Sequence, residues 1–254
     1  AYVKIENQFA PRLGFSWDVN GDSTWKVYGN AGRYALPLTS SVAVRGASIS
    51  LFTRQNFNFT GVDPVTGAPT GLTPRGGLSY INGEFGQSKN AATIAAKNLE
   101  PMYQDEIILG TQYALTEHQN VGVKGIYRKL KAAIDDNCDY TPIYDKAVAG
   151  GRDPVLPGAG FPYCRMFNPG ADAVFVTDIE DNGKLTEYTI PGDLLSPAAR
   201  RSYEALEFSW DGAWDRWFAS ANYTLARSRG NTEGGVKSDI GQADTSVTQD
   251  FDYK

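Results

Sequence analysis

No stretch of this 254-residue chain stays apolar for long. A membrane-crossing helix needs about 20 consecutive, mainly apolar residues, so a helical span is excluded. That leaves strands that hide their apolar half by alternation. Histidine is nearly missing: His118 stands alone, in the turn-like TEHQN. With one histidine and no GxSxG, HExxH or phosphate-loop pattern, the nucleophilic triads and zinc sites those motifs build have no foothold. GFG-like and GGL-like stretches between residues 76 and 86 are too loose to hold phosphate. There is no excess of positive charge. The formal net charge is -5, which argues against nucleic acid as a partner. Cysteine is limited to Cys138 and Cys164.

What is present is β-rich in character, with 27 Gly, 14 Tyr and 12 Phe, residues that suit strands and turns. The stretch 203–230 organises the rest. Leu206, Phe208 and Trp210 alternate with Glu207 and Ser209. Asp211-Gly212 reads as a tight break. Trp217, Ala219, Ala221, Tyr223 and Leu225 then alternate with Phe218, Ser220, Asn222 and Thr224. Period two predicts strands with one apolar and one mainly polar face. Each run is near the 9–11 residues that a tilted strand needs to cross a bilayer.

Two further hairpins repeat the pattern. Leu13, Phe15, Trp17 and Val19 lead to Asn20-Gly21, a two-residue turn signal. Trp25, Val27, Gly29 and Ala31 follow. Later, Ile107, Leu109, Thr111, Tyr113 and Leu115 lead through TEHQN to Val121, Val123, Gly125 and Tyr127; Ile108 and Ile126 fall on the polar side. The expected hairpins are 11–34, 105–130 and 203–229. Long loops, 35–104 and 131–202, lie between them. Inside the first loop we expect a strand pair near residues 48–60 and a short helix over 88–99. In the second, a hairpin is expected about Asn182-Gly183. Loops this long are uncommon in compact domains and usual on the outer side of a membrane barrel. All five tryptophans, Trp17, Trp25, Trp210, Trp214 and Trp217, flank two of the short turns. Indoles favour the membrane–water boundary, so they read as an aromatic girdle.

APRLGFSWDVNGDSTWKVYGNAGRY, NLEPMYQDEIILGTQYAL with VGVKGIYRKL, and RRSYEALEFSWDGAWDRWFASANYTLARSRGN resemble barrel segments of TonB-dependent outer-membrane receptors, in the Oar-like, OmpA-related branch of Gram-negative bacteria. The resemblance covers most of the chain. It implies an antiparallel transmembrane β-barrel segment of about six strands as three hairpins, with short periplasmic turns and long extracellular loops. It also implies an outer-membrane location and an unknown extracellular ligand. Energy would come from the TonB complex through an N-terminal plug domain. The chain departs from the family in lacking a plug, a TonB-contacting segment and a closing C-terminal strand. We therefore expect a part of a longer protein, with no covalent chemistry and no cofactor. Two other readings stand beside it: a passive porin-like or structural or adhesion barrel, and a soluble secreted carbohydrate-binding β-protein.

Candidate site residues follow. Cys138 and Cys164 are too few for a zinc site. They read as a disulfide, since the periplasmic side of the envelope oxidises thiols. Asp178, Glu180, Asp181 and Asn182 before Gly183 look faintly like a calcium loop, but the twelfth position is Thr189 rather than Glu; a polar turn fits better. The Asn58 and Asn222 sequons are read as chance. Asp18, Lys26, Glu106, Lys124, Arg128 and Glu207 are placed on the lumen face, either touching a plug or ligand or simply lining a hydrated wall. Phe57, Phe59, Tyr80, Tyr140, Tyr163 and Phe167 are loop aromatics that either meet a ligand or pack the loops.

Overall fold

The computed structural model describes residues 8–36, 53–80, 90–137, 139–155 and 165–232. It is mostly β-structure. Six strands form one antiparallel sheet: β1 (Arg12–Asp18), β2 (Trp25–Ala35), β7 (Tyr103–Thr116), β8 (Gln119–Ala132), β13 (Arg201–Trp214) and β14 (Trp217–Gly230). Their order in space is β1-β2-β7-β8-β13-β14, so each strand lies beside its sequence neighbours within this set. Three hairpins, those that alternation predicts, meet edge to edge. No closed barrel forms among the described residues, since β1 and β14 end the sheet.

The turns differ in detail from expectation. β13 runs straight through Asp211-Gly212, where a break was expected. The hairpin instead turns at Asp215-Arg216, with Trp214 opposite Trp217. Asp211 and Gly212 keep ladder partners in both neighbouring strands, so pairing on two sides overrides the turn propensity of Asp-Gly. The Asn20-Gly21 turn is not the two-residue kind either. Residues 19–24 connect β1 to β2, with Gly21 and Ser23 both at positive φ. The Asp18 carboxylate folds this loop by accepting from the amides of Gly21 (3.0 Å) and Ser23 (2.8 Å). Between β7 and β8 the turn is Glu117-His118.

The described parts of the loops are structured. β3 (Thr53–Asn58) pairs with β6 (Thr73–Tyr80), and β4 (Gly61–Val62) pairs with β5 (Pro69–Thr70). This long arm replaces the strand pair expected within 48–60; residues 48–52 lie outside the described residues. Its tip is held by Asp63, whose side chain accepts from the amides of Val65 and Thr66. The helix expected over 88–99 shrinks to one 3-10 turn, Ala91–Thr93, capped by the Asn90 side chain. The alanines beyond it extend instead: Ala95 bridges Met166, and the Ala96 amide donates to the Met166 carbonyl. Tertiary pairing outweighs their helix propensity.

The second excursion folds into a cap. It contains β9 (Asp135–Asn137), the helix α1 (Thr141–Ala149), β10 (Arg165–Phe167), β11 (Ala173–Thr177), β12 (Thr186–Ile190) and a 3-10 turn at Gly192–Leu194. β11 and β12 form the hairpin expected about Asn182-Gly183. The apolar core lies here. Phe167, Phe175, Ile134, Ile190 and Ala147 are almost wholly buried, with Ile143, Tyr144 and Tyr188 around them. Residues 94–102 add Ile94, Ala95, Leu99 and Met102, so the end of the first loop helps fill the core of the second.

Candidate functional site

The six-stranded sheet has two unlike faces, fixed by register. Paired residues of antiparallel strands share a face, and successive rows alternate. One row reads Trp25, Tyr113, Val121, Trp210 and Ala221; the next on that face reads Val27, Thr111, Val123, Phe208 and Tyr223, with Trp17 beside Val27. Above it come Phe15, Gly29, Leu109, Gly125, Leu206 and Leu225. No charge interrupts these three rows.

This apolar face stays open. Leu13, Phe15, Trp17, Ile107, Leu109, Leu206, Phe208, Trp217, Tyr223 and Leu225 each leave between 43% and 76% of their surface exposed. Conversely, among the buried apolar residues of the described chain, only Ile126, Leu130 and Ala205 belong to this sheet. The oily side of the largest element is outside every core.

All five tryptophans sit at the turn end of the sheet. Trp25 and Trp210 share a row; Trp17 is one row above; Trp214 and Trp217 close the β13–β14 hairpin. Trp214 and Trp217 stack, with centroids 3.9 Å apart. Two indole N–H groups find partners: Trp25 donates to the Thr111 hydroxyl (2.8 Å) and Trp210 to the Gln119 carbonyl oxygen (3.2 Å). The rings also cover glycines. Phe15 lies over Gly29, and Trp210 and Trp214 lie over Gly212. Aromatic cover of this kind restores packing that a glycine lacks.

The opposite face is polar and cross-linked. Asp18, Lys26, Glu106, Lys124, Arg128 and Glu207 all lie on it by register. Lys124 pairs with Glu207 at 2.7 Å, and Arg128 pairs with Glu106. Arg128 also lies over the Tyr203 ring, Lys26 over Tyr28 and Arg12 over Tyr34. Asp18 is committed to its loop. Ile108, Ile126, Ala205 and Ala226 form one apolar row across this face, so the two isoleucines that break the alternation are packed against each other's strands. Asn222, one of the two sequon asparagines, lies on this face opposite Ser209.

The other candidates separate cleanly. Tyr140 and Phe167 are buried in the cap, so they pack it. Phe57 and Phe59 are exposed on the β3–β6 arm. The Tyr80 side chain and Tyr163 lie outside the described residues, as do Cys138 and Cys164. The acidic 178–183 stretch is a self-capped turn. Asp178 accepts from the Asn182 and Gly183 amides, and Glu180 pairs with Arg152 at 2.9 Å. No group of three metal-binding side chains occurs among the described residues. His118 is an exposed turn residue near Trp214, and its carbonyl accepts from Ala213.

Sequence reasoning missed two asparagines that tie the cap to the sheet. Asn168 donates to the carbonyls of Glu100 and Ala133 and accepts from the Glu100 amide. Asn231 accepts from the Arg200 amide and donates to the Ala198 carbonyl. Each follows or precedes a strand end, and only distant backbone partners reveal the role.

No family model, curated protein or solved structure matches this chain.

Proposed function

We propose that the chain is a wall segment of a Gram-negative outer-membrane receptor of the TonB-dependent kind. Its apolar face meets lipid, its polar face lines the lumen, and its arm and cap stand at the extracellular mouth. The carrying observation is the inversion of cores: the cap buries its apolar residues, whereas the sheet exposes its own. About ten large side chains, roughly half exposed at about 100 Å² each, amount to on the order of 1,000 Å². Soluble monomers rarely expose an apolar patch above a few hundred Å². At about 25 cal/mol per Å², moving that surface from water to hydrocarbon is worth on the order of 25 kcal/mol. The dimensions agree. From Trp217 to Leu225 the strand rise gives about 27 Å along the strand, or about 20 Å along the normal at a ~40° tilt. That is close to the apolar band of such walls.

Membrane wall and active uptake are separate claims. The first is tested by tryptophan quenching. In vesicles whose lipids carry bromine near the headgroups, the five indoles should be strongly quenched; no quenching, with release from membranes by salt alone, would favour the soluble carbohydrate-binding reading. The second rests on the resemblance, because a passive barrel would use the same wall. A plug domain and a TonB-contacting segment upstream of residue 1 in the parent gene belong to active uptake only. In that assembly the partners are the TonB complex, outer-membrane lipid and an extracellular ligand.

A further inference from the structure

The apolar face ends, on the side away from the tryptophans, in a cationic edge. One register line reads Arg33, Asp105, Lys129, Ser202 and Arg229 across β2, β7, β8, β13 and β14; the line beneath ends in Glu204 and Arg227. Lys131 joins the edge, with its ammonium 3.7 Å from Asp105. Five cations meet two carboxylates, an excess of three positive charges. Asp105 holds Arg33 by two hydrogen bonds of 2.8 and 3.2 Å, which fixes that cation in place. Lys129, Lys131, Arg227 and Arg229 are exposed. Lys129 and Arg229 have no carboxylate partner among the described residues. The turn end has the opposite sign: Asp18, Asp22, Glu117 and Asp215 outnumber Lys26 and Arg216.

We propose that this edge is a docking surface for phosphorylated lipid headgroups in the outer leaflet. The proposal rests on the membrane-wall reading and adds a specific lipid partner to it. The argument is continuity. Directly below the cations lie Ile107, Leu109, Leu206 and Leu225 on the same face, about one or two rows down, at roughly 7 Å per row. A lipid whose acyl chains lie along those side chains places its phosphates beside Lys129 and Arg229. The Ser202 hydroxyl stands between them in register. Guanidinium groups bind phosphate in a fork, and ammonium as a point charge. An acidic peptide or a soluble anion would match the charge but not the apolar rows.

The test uses the parent barrel that carries this segment, because β1 and β14 need further strands in lipid, and phosphatidylcholine vesicles, plain or doped with lipid A as the phosphorylated probe. Association is read by co-flotation and by tryptophan emission. Lipid A should strengthen association, and Lys129→Gln and Arg229→Gln should each weaken that gain about five-fold, the equivalent of about 1 kcal/mol per cation near an anionic surface. Arg216→Gln, at the acidic end, should leave the gain unchanged. The wild-type chain with dephosphorylated lipid A should show none of the gain, a control independent of how variants fold. Equal association with and without lipid A overturns the proposal while leaving the wall reading intact. So does a gain that survives both substitutions together, or one that inorganic phosphate at matched concentration removes, since that marks a site for free phosphate. Failure to enter either vesicle overturns the wall reading itself.

Discussion

Ala221 and Asn222 are neighbours near the middle of β14, yet they point to opposite sides of the sheet. Ala221 lies opposite Trp210 on the apolar face, and Asn222 lies opposite Ser209 on the polar face. Arginine at either position adds the same charge to the same strand, so propensity and net charge cancel in the comparison. If the apolar face meets hydrocarbon, Ala221→Arg costs up to about 2 kcal/mol, the low end of the midplane range, because Ala221 shares the Trp25–Trp210 row nearer the boundary. That is a drop of up to roughly 30-fold in the folding equilibrium. Asn222→Arg, facing water and the Lys124–Glu207 pair one row away, should cost well under 1 kcal/mol. The assay is urea-dependent folding of the parent barrel that carries this segment into phosphatidylcholine vesicles, followed by tryptophan emission and protease resistance. Equal costs at the two sites, or a larger cost at Asn222, would refute the assignment of faces. Loss of the difference in water without lipid is expected, because an exposed arginine is then cheap on both sides.

Other perturbations address the loops. The strands that precede Cys138 and follow Cys164 pair antiparallel, with Asn137 opposite Arg165; a 138–164 disulfide is expected on non-reducing peptide mass spectrometry and should add about 3 kcal/mol in the chain-entropy model. Asn168→Ala removes three hydrogen bonds and should cost about 2–3 kcal/mol, read as faster hydrogen exchange at Glu100 and across the cap. Amide bonds from Thr66 and Val65 lower the Asp63 pKa. The folded tip therefore favours the carboxylate: its contribution is complete above the ordinary Asp range and is lost as pH falls through the depressed value. Amide shifts of Val65 and Thr66 should report that loss at acid pH, and Asp63→Asn should flatten the profile.

Alternation carried the sheet because most residues of the three hairpins obey period two for long enough to show. The apolar sides of β7 and β8 remained readable although Ile108 and Ile126 contradict them. Turn chemistry was less faithful. The two tight hairpin turns, Glu117-His118 and Asp215-Arg216, contain no glycine and none of their residues has positive φ, so the usual Asn-Gly or Asp-Gly signal is absent. Asn-Gly and Asp-Gly occur elsewhere, in a longer loop and mid-strand. Apart from the β11–β12 hairpin, the cap was illegible for a different reason. Its β9–β10 ladder joins residues whose sequence separation exceeds any local window, and Ala91 to Ala96 look helical until Met166 claims them. The polar-face ion pairs follow from register alone, once the sheet order is known.

On the proposed wall reading, two solvents explain why one chain holds two kinds of packing. Water drives Phe167, Phe175 and Ile190 into the cap, as in any small domain. Among the described residues the sheet's apolar face finds no such core, whereas its opposite face carries the Lys124–Glu207 and Arg128–Glu106 pairs. On the proposed wall reading those pairs stay wet while the other side meets hydrocarbon, and the ladder need not change, since antiparallel pairing already satisfies the backbone within the sheet. The edges β1 and β14 are the remaining debt. Each presents a row of backbone groups that lipid cannot satisfy, at several kcal/mol apiece, so the wall is stable in a membrane only when further strands pair with both. The need for those strands is thus dictated by the same physics that places Trp25 and Trp210 at a boundary.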